Sequence, residues 1–205
     1  MDTTYLIRDE EALIALYGQG SPASLAKEIN YIHPHYRAFI EASNYVVLAT
    51  NGADGLDASP RGDPAGFVAV EDEHTLLIPD RRGNNRVDSL HNLIVDPRIG
   101  LLFLISGIDE SLRVNGHALI STDPSLLARF PAESKPPRAV VIVKAETVYF
   151  QCPRAAVRAD LWNPERFAPR SALPSNGTIL ADLSKDESYR ERDKSREQTV
   201  RATLY

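Results

Sequence analysis

The chain has 205 residues, with 23 Lys plus Arg against 28 Asp plus Glu, a formal net charge of −5, 43% hydrophobic residues and 25% charged ones. That balance belongs to a globular chain of one ordinary to large domain, able to remove about 70% of its unfolded surface from water. It excludes collagenous, coiled-coil and wholly disordered chains, and it is a poor starting point for gripping nucleic acid, which needs clustered positive charge.

Residues 9–16 read as a helix closed by Gly18, residues 23–32 as a second with Pro22 near its start, and residues 36–42 as a third. Gly18-Gln19-Gly20-Ser21-Pro22-Ala23 between them has the form of a loose dinucleotide pattern. A helix rather than a strand precedes it, so it reads as a linker. The period then changes. Tyr45-Val46-Val47-Leu48-Ala49-Thr50 is a β-branched strand, and Asn51-Gly52-Ala53-Asp54-Gly55 turns it into a hairpin.

Further strands are expected over 66–71, 75–79, 99–105, 111–121 and 139–150. Helices are expected over 88–95, over 123–130 with Thr122 or Asp123 as cap and Pro124 in the first turn, and over 153–160. Strands joined by short turns, with helices inserted rather than alternating, give an α+β protein built on an antiparallel sheet or barrel. From Trp162 to about Asn176 prolines make a loop. Residues 185–201 then hold six basic and five acidic residues among seventeen. Ser184-Lys185-Asp186-Glu187 matches a capping box, so the segment reads as a solvated helix or tail.

Cys152 is the only cysteine, which leaves neither an intramolecular disulfide nor a cysteine-based zinc site. The five histidines (His33, His35, His74, His91 and His117) lack metal-ligand spacing, so no metal is expected. Met1-Asp2-Thr3-Thr4-Tyr5 has no basic start leading into an apolar core, and no run of about 18 apolar residues occurs. The expectation is a reduced, cytoplasmic protein without a membrane partner. No Ser sits in a G-x-S-x-G elbow, so acyl transfer has no support.

The informative stretch is Ser59-Pro60-Arg61-Gly62-Asp63 followed by Ile78-Pro79-Asp80-Arg81-Arg82-Gly83-Asn84-Asn85-Arg86-Val87-Asp88. A strand ends, the chain turns through Gly83, and a helix opens near Asn84 or Asn85. Free backbone N–H groups at a helix start favour an anion, and Arg81, Arg82 and Arg86 are close by to grip phosphate. The same residues would also serve as a surface loop whose charges Asp80 and Asp88 balance.

At these residues the chain resembles the pyridoxamine 5′-phosphate oxidase-like, FMN-binding split β-barrel flavoproteins, and within them a bacterial PPOX-type branch. The matching phrases, in order, include Ser43-Asn44-Tyr45-Val46-Val47-Leu48-Ala49-Thr50, Ser59-Pro60-Arg61-Gly62-Asp63 with Gly66-Phe67-Val68, and Thr75-Leu76-Leu77-Ile78-Pro79-Asp80-Arg81. They continue through Gly83-Asn84-Asn85-Arg86, Gly100-Leu101-Leu102-Phe103, Leu112-Arg113-Val114-Asn115-Gly116 and Leu161-Trp162.

The resemblance implies a mainly antiparallel split β-barrel with flanking helices: residues 1–42 as a helical extension packed on it, 43–180 as the FMN-binding barrel, and 181–205 as the charged helix or tail. It implies a homodimer with FMN at the subunit interface, acting as an oxidoreductase on a small molecule. Arg61, Asn84, Asn85 and Arg86 would hold the phosphate end. Phe67, Val68, Ile78, Pro79 and Asp80 would run along the ring and ribityl chain. Arg113, or the segment from Cys152 to Trp162, would come from the partner subunit; Trp162 would lie near the flavin or anchor the proline-rich segment. The family's Arg-x-His pair for substrate phosphate has no counterpart, because no histidine follows His117. Synthesis of pyridoxal phosphate is therefore not expected, and no catalytic acid or base is assigned. The alternatives are a non-catalytic flavin- or haem-binding module (sensor, carrier or store) and a deazaflavin (F420)-dependent reductase.

Overall fold

The computed structural model describes residues 2–131 and 135–204; the end residues Met1 and Tyr205 of the expected 1–42 and 181–205 segments lie outside them. Its centre is one antiparallel sheet of seven strands: β1 (Tyr45–Gly52), β2 (Gly55–Gly62), β3 (Ala69–Asp72), β4 (Thr75–Asp80), β5 (Arg98–Leu104), β6 (Ser111–Ser121) and β7 (Ala139–Gln151). They lie in the order β2-β1-β5-β6-β7-β4-β3, and the sheet does not close on itself. With its flanking helices this is the α+β split barrel expected from the sequence.

Alternation explains the core. Val46 and Leu48 of β1, Ile99, Leu101 and Phe103 of β5, and Leu112 and Val114 of β6 are all nearly inaccessible and share one face. Each such side chain contributes about 1.5–3 kcal/mol by leaving water. Two helices seal this face: α3 (Pro34–Ala42), through the fully buried Ile40, and α4 (Asp88–Val95), through Leu93. Helix α4 crosses the end of β1 so closely that a side chain at Gly52 would collide with Asn92. The Asn92 amide uses that proximity to donate to the buried Thr50 hydroxyl at 3.1 Å. A smaller cluster, Leu77, Phe130 and Val140, sits under the short helix α5 (Pro124–Leu127).

Several elements differ from expectation for local reasons. The first helix, α1 (Glu10–Tyr17), has Asp9 as its cap and ends at Gly18, where φ is 71°. The second, α2, stops at Pro22–Ala26 instead of reaching residue 32, because Ile29 exchanges both backbone hydrogen bonds with Val148. The strand expected over 66–71 begins only at Ala69, since Gly66 turns the chain at φ 84°. The helix expected over 123–130 ends at Leu127. Helix α6 (Arg154–Ala159) forms as expected.

The proline-rich loop gives way to α7 (Asn176–Ser184), whose cap is Ser175. The one helix expected over 185–201 is two, α8 (Ser188–Asp193) and α9 (Arg196–Ala202). Ser184 closes α7 rather than opening a helix: its hydroxyl donates back to the Leu180 carbonyl, and Lys185 turns left-handed at φ 61°. Among the described residues no helix is long and apolar enough to cross a membrane.

Candidate functional site

The two ends of the sheet approach each other without pairing, and side chains cross the opening. In β2, Asp57, Ser59 and Arg61 stand opposite Thr50, Leu48 and Val46, so these polar residues point to the same side as the core. The Arg61 guanidinium donates to the Ser59 hydroxyl at 2.8 Å and lies 3.8 Å from the Asp80 carboxylate at the end of β4. One step further on, Arg81 Nε meets Asp63 at 2.7 Å while its Nη1 donates to the Phe130 carbonyl at 2.8 Å. These two pairs brace the opening.

Beyond Asp80 the chain runs through Arg82 and Gly83 into a strained entry to α4. Asn85 and Val87 both take left-handed backbone angles, φ 61° and 48°. That region is rare for a β-branched residue and costs of order 1–3 kcal/mol. Val87 occupies the cap position of α4, and no side chain caps the helix. The first backbone N–H groups of α4 are therefore left for an outside acceptor, at the end of the helix dipole that favours negative charge. The Asn84 side chain accepts from the Arg86 N–H at 3.0 Å and shapes the turn. Arg86 itself is exposed and paired with Asp88 at 2.9 Å.

Strand end, loop and helix start enclose a cleft of about 320 Å³. Its lining contains Arg61, Asp80, Asn84, Asn85 and Arg86, all named from the sequence. It also contains Asp57, Ser59, Ser89 and Arg138, to which the sequence reading gives no role in the site. Arg138 stands just before β7 and donates to the Asn85 side-chain oxygen at 3.1 Å; Ser89, buried, donates to Asp57 at 3.4 Å. Alternating polar residues in β2 were a usable signal for Asp57 and Ser59. Only the fold brings Arg138 across from residue 138.

Five arginines against three aspartates give the lining a net positive charge of two. Burial pushes the Asp80 carboxyl above its ordinary value of 3.8, against the opposing pull of Arg61 and Arg138. The guanidinium forks, uncapped N–H groups and side-chain amides fit a phosphate with a polyol chain attached. Among the described residues no histidine or cysteine lines the cleft, and no group of three or more potential ligands is placed to hold a metal ion.

The other sequence candidates lie elsewhere. Phe67, Val68 and Ile78 belong to the main core cluster, and Pro79 is buried in β4. Arg113 is exposed on the outer face of β6, over the Tyr149 ring at 5.8 Å. The Trp162 indole donates to the Ile108 carbonyl at 2.8 Å, which ties the segment after α6 to the β5–β6 loop. None of these six lines the cleft in this subunit.

A family model described as pyridoxamine 5′-phosphate oxidase matches residues 32–152, more than half of the chain and all seven strands. Solved structures similar to the chain include HupZ of Group A Streptococcus, at 18% identity and TM-score 0.48, covering 58% of this chain and 99% of that one. General stress protein 26 of Bacillus anthracis is 18% identical at TM-score 0.41, over 56% and 88% of the two chains. A pyridoxinephosphate oxidase family protein of Clostridium acetobutylicum, related to general stress protein 26, is 15% identical at TM-score 0.45, over 57% and 85%. No curated protein matches the chain.

Proposed function

The chain belongs to the pyridoxamine 5′-phosphate oxidase family, and from that premise we propose that it is an FMN-binding flavoprotein, a cytoplasmic oxidoreductase acting on a small molecule. The observation that carries this reading is the arginine-lined cleft at the uncapped start of α4. Arg61, Arg86 and the first N–H groups of α4 would hold the phosphate, and Asn84 and Asn85 the ribityl hydroxyls. To take the phosphate, Arg86 would turn from Asp88, an exchange that costs little at an exposed pair.

A cleft of about 320 Å³ is at the small end for such ligands and accommodates the phosphate end better than the ring system. The wall for the ring would come from a second copy, in a homodimer. The outer face of the sheet supports this, because Tyr45, Leu56 and Leu119 stand on it exposed to solvent. Arg113 and Trp162, absent from the cleft of their own subunit, would approach the flavin of the other. When bound, the flavin supplies the redox chemistry, and the protein holds it and excludes water. Synthesis of pyridoxal phosphate is not part of the proposal, since no histidine follows His117 in these 205 residues.

The decisive experiment is a visible absorption spectrum of the purified protein before and after heat release of its chromophore. A released flavin that co-migrates with FMN, near one per subunit, supports the reading. A colourless protein that takes up no added FMN overturns it, a Soret band replaces it with haem binding, and a released deazaflavin replaces it with F420. Arg61→Ala should lower FMN affinity about tenfold or more with the fold retained. Unchanged affinity removes Arg61 from the site.

A further inference from the structure

The two extensions of the chain carry apolar surface that their own subunit leaves uncovered. Every residue from 2 to 26 is exposed, among them Leu13, Ile14, Leu16 and Tyr17 of α1. A helix of eight residues is marginal in water without a face to pack on. At the other end, α7, α8 and α9 with the loop before them enclose two cavities, of about 470 and 950 Å³. These share Asp193, Arg196 and Val200, so they form one groove. Leu173, Leu180, Val200 and Leu204 line it and remain exposed, and no described residue of the N-terminal arm reaches it in the same subunit.

Charge distinguishes the two surfaces. Residues 2–17 hold the carboxylates of Asp2, Asp9, Glu10 and Glu11 against Arg8 alone, a net charge of −3. The groove is lined by Arg170, Arg192, Arg196 and Arg201 against Asp193 and Glu197, a net charge of +2. Arg201 meets Glu197 at 3.2 Å with both side chains more than three-quarters exposed. Arg192 lies over the Tyr189 ring at 5.6 Å, with Asp186 nearby. Such exposed arginines turn to a new carboxylate at little cost.

We propose that this groove receives the N-terminal arm, residues 2–17, of a second copy of the chain, with the apolar side chains of α1 on the leucines and Val200 and its acidic first turn toward the arginines. A short helix seated in an apolar groove is a recurring mode of recognition, and opposite charges guide the two surfaces together. The arm has the reach. Eleven residues, Gly18 and Gly20 among them, separate α1 from Ile29, which is fixed to β7. Even with α2 kept helical they span up to about 30 Å. In a two-fold pair the exchange is reciprocal, so the contact forms twice and covers both apolar surfaces. It does not depend on a filled cleft and is separate from the sheet-face contact proposed above.

The test is disulfide trapping in the 205-residue chain after its one cysteine is removed by Cys152→Ser. One copy carries Leu16→Cys in the arm and the other Val200→Cys in the groove; both positions are exposed, so neither substitution removes core packing. Co-expressed and mildly oxidised, the two should give a reducible cross-linked dimer at least about threefold above either copy alone. A chain carrying both substitutions should also link between chains. A link closed within one chain overturns the proposal in favour of the subunit's own arm, and no link in either format overturns it outright. Adding Arg196→Glu to the groove copy should lower the yield about threefold or more. An unchanged yield overturns the charge match that selects this occupant. A dimer seen by light scattering without any link leaves the sheet-face homodimer standing and removes the arm.

Discussion

Pairs of a basic side chain with a carboxylate occur at both ends of this molecule in opposite settings. At the opening of the barrel, Arg81 and Asp63 keep 18% and 4% of their side-chain surface, and Arg61 and Asp80 keep 19% and 14%. In the C-terminal helices, Arg201 and Glu197 keep 77% and 81%, and Lys194 and Glu191 keep 72% each. Burial raises Asp80 above its ordinary value, while the Ser188 backbone N–H holds Asp186 below it. Exposed pairs cost little desolvation and are worth little. Pairs at the opening have given up most of their water, so their removal is expensive and their placement constrains the cleft.

The sharpest way to break this contrast is Asp63→Ala. It leaves the mostly covered Arg81 guanidinium without the Asp63 carboxylate and should cost about 3 kcal/mol. Urea unfolding measures it, and a loss below about 1 kcal/mol would place this pair in the same class as the exposed ones. Asp80→Asn comes next. The folded protein binds a proton on Asp80 more tightly than the unfolded chain does, so its stability falls as pH rises from 3.8 through the raised value. Asp80→Asn should flatten that part of the stability–pH curve. It also removes a negative charge 3.8 Å from Arg61, which should tighten phosphate binding about tenfold. An unchanged pH profile would mean that Asp80 is not held up by its burial.

Val87→Gly tests the backbone of the same region. Glycine enters the left-handed region freely, so the substitution should stabilise the fold by about 1 kcal/mol after the extra unfolded-state entropy is counted. Thermal unfolding checks the sign. A loss instead of a gain would show that the packing of the partly exposed Val87 side chain outweighs the strain.

Much of the barrel was legible because its signal is local. The apolar alternation of β6 gives Ser111–Ser121 to the residue, and β4, β5 and β7 to within one. Pairing that depends on distant partners was not. Ile29 leaves a helical pattern for a bridge to Val148, more than a hundred residues away. Strand β2 has no apolar run and contains Pro60, which an edge strand tolerates and an inner one does not. The site divides in the same way. Arg61, Asp80 and Asn84 to Arg86 lie on contiguous phrases around the opening, whereas Arg138 arrives by topology alone. Phe67 and Ile78 stand among apolar neighbours in sequence, Val68 beside one and Leu77 beside the other, and both belong to the core: residues 75–79 of β4 are buried on both faces of the sheet.

The C-terminal helices supply the smallest effect and the other half of the contrast. Glu197→Ala removes an exposed i,i+4 partner of Arg201 and should change stability by less than about 0.5 kcal/mol, falling toward zero in high salt. Its value lies in the surroundings of the pair. Within α7 only Gly177 and Ala181 are buried, while Leu183 is 78% exposed and Val200 of α9 is 46% exposed. In an isolated subunit those helices rest on few contacts, and Glu197 stays largely in water. A second copy laid over them would dry the pair and raise its worth toward that of Arg81 and Asp63. A cost above about 1 kcal/mol that grows with protein concentration would therefore mean that the two ends differ in this subunit and become alike in the dimer.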